Sequence, residues 1–83
     1  MLVKLLGTET TLTAATDVGK ATVVRLYNTG SAALVTLKNA DDTPVTLGTF
    51  TLAGGEVAYV EKDPTDTLEG GSGIKAVKVA YKN

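Results

Sequence analysis

The chain has 83 residues, 43% of them hydrophobic and 20% charged, with a formal net charge of −1 and neither cysteine nor histidine. A chain this short is one domain, residues 1–83, that buries only about 60–65% of its unfolded surface, so it needs tight packing or core area from a partner subunit. The composition argues against a disordered chain, and it removes disulfides, thiolate metal sites and the usual His-assisted nucleophiles; the scattered lysines leave no basic footprint for nucleic acid.

In chain order the dominant period is two, in a sequence rich in threonine and valine, residues that suit a pleated surface. "MLVKLL" predicts a strand with Val3 and Leu5 on one face and Lys4 on the other. Its apolar run is shorter than the roughly 7–15 residues of a signal-peptide core, and nothing approaches the roughly 20 apolar residues of a membrane span. A protein beginning at Met1 and made in the cytoplasm is expected, with no membrane role.

"ETTLTAA" reads as a weak strand around Leu12, followed by turn residues in "ATDVGK". "ATVVRLYN" (21–28) sets Val24 and Leu26 against Arg25, and "AALVTLKN" (32–39) sets Ala33, Val35 and Leu37 against Thr36 and Lys38. In "VTLGTFTL" (45–52) the apolar spacing slips between Leu47 and Phe50, which predicts a bulge or bend at Gly48. "VAYVEK" (57–62) and "IKAVKVAYK" (74–82) complete the strands, the last with Val77, Val79 and Tyr81 on one side.

Between these two lies "DPTDTLEG". Asp63 as an N-cap, Pro64 at the first helical position and Asp66 at the third predict one helical turn near 63–69. "GGSG" (70–73) has linker composition and is expected to join the last strand to the body. Six to eight short strands at about 8–12-residue spacing give an all-β chain, a small antiparallel β-sandwich of immunoglobulin-like or jelly-roll-like type.

The residues name no chemistry. Ser31 and Ser72 sit in glycine-containing turns with no lysine placed beside them, and the carboxylates lack the aromatic surroundings of a sugar cleft. "GGSGIK" lacks the spacing of a phosphate loop and precedes a strand. Asp63, Asp66 and Glu69, or Asp41 and Asp42, supply hard oxygens that calcium prefers, but without EF-hand spacing, and the capping reading uses the same acids. No enzyme, cofactor or metal is expected. The candidate interface residues are Val3, Leu5, Tyr27, Tyr59, Val77, Val79 and Tyr81; tyrosines gathered on one exposed sheet face would mark a contact surface.

"VVRLYNTGSAALVTL" is similar to the strand–"NTGS"–strand segment of immunoglobulin-like sandwich modules, and "GTFTLAGGEVAYVEK" resembles their following turn and strand, with Gly54 where proline is usual. "VEKDPTDTL" and the ending "KAVKVAY" are similar to small β-sandwich structural proteins of tailed phages of marine cyanobacteria. The resemblance spans residues 21–82 and implies a virion-associated structural protein, with no catalytic residue to carry over. The expected function is therefore non-enzymatic: a phage virion component, head decoration or tail-associated, forming homo-oligomers or binding other virion proteins through its sheet edges and apolar termini. The alternative is a small module that recognises a glycan or host-surface molecule through its loops.

Overall fold

A computed structural model describes the backbone of residues 2–82 and the side chains of residues 2–81; Met1, in the first predicted strand, lies outside the described residues. The strands are β1 (Leu2–Leu5), β2 (Thr10–Leu12), β3 (Val23–Asn28), β4 (Ala33–Lys38), β5 (Thr46–Leu52), β6 (Val57–Glu61), β7 (Thr67–Glu69) and β8 (Gly71–Lys82). They form a β-sandwich. The larger sheet runs β1-β8-β3-β6, with β2 following β1 along the same edge of β8, and the smaller runs β5-β4-β7.

The pairing is nested. β1 lies beside β8, Thr16 bridges Leu68 in β7, β3 pairs with β6 and β4 with β5, all antiparallel. Such nesting is a long ribbon of strand pairs rolled into two sheets, with β3 meeting β8 and β4 meeting β7 across the roll. This is jelly-roll connectivity. An immunoglobulin-like order would set the first strand beside the second rather than beside the last.

The inner faces follow the predicted alternation. Leu12, Val24, Leu26, Val35, Leu52, Leu68, Ile74 and Ala76 are buried together with Val18 and Ala21, and Leu37, Phe50, Ala58 and Val60 pack against them. A bulge is present one residue before the predicted Gly48: Leu37 pairs with Gly48 and Lys38 with Thr46, so Leu47 is the extra residue. Among the described residues no helix is long and apolar enough to cross a membrane.

Two expectations are corrected. The segment 63–69 holds no helical turn. Its start is a single turn in which Asp66 N–H donates to the Asp63 carbonyl (3.0 Å) while the Asp66 carboxylate accepts from Asp63 N–H (3.3 Å). Thr67–Glu69 then leaves as β7, because Leu68 is buried between the sheets, opposite Leu37 and bracketed by two backbone bonds with Thr16. Burial and ladder bonds outweigh local capping preference. Nor is "GGSG" a tether: β8 starts at Gly71, which pairs with Leu12 across a register shift and has φ 109°, a conformation glycine adopts without strain.

Candidate functional site

Register places the candidate side chains, because residues opposite each other in an antiparallel ladder point to the same face. Val3 faces Tyr81, Leu5 faces Val79, Arg25 faces both Val77 and Tyr59, and Tyr27 faces Lys75 and Val57. All seven sequence-selected residues therefore lie on one surface, the outer face of the larger sheet. The core residues Val24, Leu26, Ile74 and Ala76 occupy the opposite face of the same strands.

Val77 and Val79 are only 6% and 2% exposed, yet they point away from the sandwich interior and stand outside the main core cluster. Cover comes from the outer face itself. The Tyr59 and Tyr81 rings lean toward each other across β3, with centroids 5.9 Å apart and planes tilted by 51°. The Arg25 guanidinium sits 6.0 Å from the Tyr27 ring, at the limit of a cation–π contact. Lys75 donates to Thr11 Oγ1 at 2.9 Å, tying β8 to β2 at the polar end of the face.

At the other end the face is open. Leu5 is 68% and Tyr81 48% exposed, and Tyr59, whose ring meets that of Tyr81, is also exposed. Here β1 and the end of β8 form a two-stranded ribbon, and Leu2, on its reverse side, is exposed too. Two strands alone bury too little to be stable, so such a ribbon gains from any surface that covers it.

The acidic candidates are dispersed. The Asp66 carboxylate is buried in the 63–66 turn, Asp63 is exposed, and Glu69 lies on the outer face of the smaller sheet, 3.8 Å from Lys38. Among the described residues no three acidic or other ligating side chains are grouped as metal ligands would be.

Sequence reasoning missed Lys62. Its ammonium is buried and donates to the carbonyls of Ala21 (2.7 Å), Asp63 (3.2 Å) and Pro64 (3.4 Å). Burial lowers its pKa from the usual lysine value, while Asp17, Asp66 and Asp63 pull it back upward. It was missed because "VEK" at a strand end reads as solvated, and the Ala21 carbonyl that fixes it comes from 41 residues earlier in the chain. With its donors satisfied by backbone carbonyls, this lysine acts as a clamp between the 21–22 and 63–64 segments.

Comparison of the chain with family models, with curated proteins and with solved structures finds no match in any of the three.

Proposed function

We propose that this protein is a non-enzymatic structural and interaction protein that works by assembly, either with copies of itself or with other subunits. The observation that carries the reading is the outer face of the larger sheet. Valines and tyrosines gather there on strands whose other side already packs into the core. Tyrosine serves such surfaces well, because a large apolar ring ends in a hydroxyl that tolerates water before the partner arrives. The aromatic residues all lie in strands, so the loops offer no ring on which a sugar could stack, and this favours assembly over glycan recognition.

Placement in a phage virion, as a head-decoration or tail-associated component, rests on the sequence resemblance over residues 21–82 alone. The test is light scattering of the purified protein from low to high micromolar concentration, alone and with the structural products of neighbouring genes. Concentration-dependent association that Leu5→Asp weakens is expected. A monomer at every concentration, with no neighbouring-gene partner, overturns the reading.

A further inference from the structure

A sheet edge exposes unpaired N–H and C=O groups, and folded proteins guard such edges with charges, prolines or short length. Four edges of this sandwich are guarded in that way. β1 carries Lys4, β2 and β7 have three residues each, and β6 contains Glu61 and lies between Glu56 and Lys62. β5 is different. Its seven residues, "TLGTFTL", hold no charge and no proline, and among the described residues its ladder partner is β4 alone.

Beside β5 the sandwich gapes. A cleft of about 390 Å³ opens between β5 and β6, lined by Val35, Leu37, Phe50, Ala58, Val60 and Leu68. Gly48 stands in its wall, with no atom within 4 Å of where a Cβ would lie.

We infer that β5 is a self-pairing edge, and that its occupant is β5 of a second copy, joined antiparallel about a two-fold axis at Phe50. The bulge sets this register. Leu47 interrupts the ladder, so the regular part of the strand is Gly48–Leu52, and its midpoint is Phe50. Pairing about that midpoint sets Thr49 of each copy opposite Thr51 of the other on the outer face, a favourable cross-strand pair. On the inner face Phe50 meets its twin at the cleft mouth, and Leu52 lies opposite the empty position at Gly48. No like charges oppose each other, because the strand has none. The two smaller sheets become one continuous sheet of six strands, and the symmetric contact closes on itself as a dimer.

This inference rests on the assembly reading and names one of its contacts. The contact is small, so the dimer is expected to be weak and to need trapping. The chain lacks cysteine, which leaves a clean background for cross-linking. Thr49 and Thr51 are both exposed, so substitution there spares the core. Under mild oxidation Thr49→Cys/Thr51→Cys should yield a doubly linked dimer on non-reducing gels, and Thr49→Cys alone should yield far less. Thr49→Lys/Thr51→Lys should keep the wild-type melting profile and show at least a tenfold weaker self-association by sedimentation. Wild-type association that the lysine variant leaves unchanged overturns the β5 contact but not assembly. A monomeric wild type with no covalent dimer from the cysteine variant overturns the contact and self-assembly together.

Discussion

Gly54 and Gly30 pack backbone against backbone: a Cβ at position 54 would be driven into the Gly30 carbonyl oxygen. The glycine that stands where the resembled modules carry proline is therefore required here, since any side chain would push the β5–β6 turn off the β3–β4 turn. Gly54→Ala is expected to cost about 1–3 kcal/mol, the usual penalty of forced overpacking. Gly48→Ala, whose Cβ meets nothing within 4 Å, is the control and should cost nothing. Urea unfolding of the two variants against wild type checks the pair, and equal stability would contradict the contact.

The same turns converge on Asn28, which is fully buried. Its side-chain amide donates to the carbonyls of Ser31 and Leu52, each at 2.8 Å, and its Oδ1 accepts from Gly30 N–H at 2.9 Å. Asn28→Ala removes three bonds and leaves backbone groups unpaired, at about 1–3 kcal/mol for each buried group so orphaned. Asn28→Asp keeps the shape but presents acceptors to two carbonyls, so it should be more destabilised at neutral pH than at pH 4. Chemical melts at the two pH values test this; a variant as stable as wild type at both would show that the donors are dispensable.

Val18, Gly19 and Lys20 all take positive φ, at 54°, 66° and 57°, a left-handed turn closed by Ala21 N–H to the Asp17 carbonyl at 3.2 Å. Non-glycine residues adopt this conformation at roughly 1–2 kcal/mol each. Val18 offsets its strain by burial, but Lys20 is exposed. Lys20→Gly should thus raise stability by up to about 1 kcal/mol, less what glycine adds to the entropy of the unfolded chain. A rise in melting temperature is the expected result; a fall would place that turn in another conformation.

Much of the fold is legible in the sequence, and the gaps have physical causes. Alternation locates β3 and β4, where Val24/Leu26 oppose Arg25 and Val35/Leu37 oppose Thr36 and Lys38, and β5 shows through the slip between Leu47 and Phe50. β7 is hidden: Thr67–Leu68–Glu69 holds one apolar residue, and the partner of Leu68 is Leu37, far back in the chain. The candidate face is half legible. Val3, Leu5, Val77, Val79 and Tyr81 announce a shared side, but β8 is apolar on both faces, with Ile74 and Ala76 opposing Val77 and Val79. Which side meets the other sheet is decided by strand order, and setting the first strand beside the last is a long-range outcome that no local pattern encodes.

The outer face separates association from stability. Leu5 is largely exposed, so Leu5→Asp should leave folding stability within about 0.5 kcal/mol of wild type while weakening assembly. Val79→Ala on the same face should behave oppositely, since Val79 is buried: a loss of roughly 1–3 kcal/mol in unfolding with its position in the contact unchanged. Denaturant melts paired with light scattering distinguish them, and a Leu5→Asp variant that associates like wild type removes this face from the interface.

Lys62 makes stability depend on alkaline pH with a definite sign. Burial lowers the folded-state pKa below the value of 10.5 that the unfolded chain keeps, against the upward pull of Asp17, Asp66 and Asp63. The unfolded state therefore holds more proton through the window just below 10.5, and stability contributed by this residue rises as pH climbs through it. Below that window the ammonium is charged in both states, and its desolvation cost is borne in full. Lys62→Met keeps the apolar stem but orphans the buried Ala21 carbonyl, so at pH 7 it should lose about 1–3 kcal/mol. The difference between wild type and Lys62→Met isolates the titration from every other lysine. That difference should widen in favour of wild type as pH rises toward 10.5, as read by urea melts at successive pH values. A difference that stays flat or narrows would mean that the buried amine keeps its ordinary proton affinity, with the neighbouring carboxylates cancelling the effect of burial.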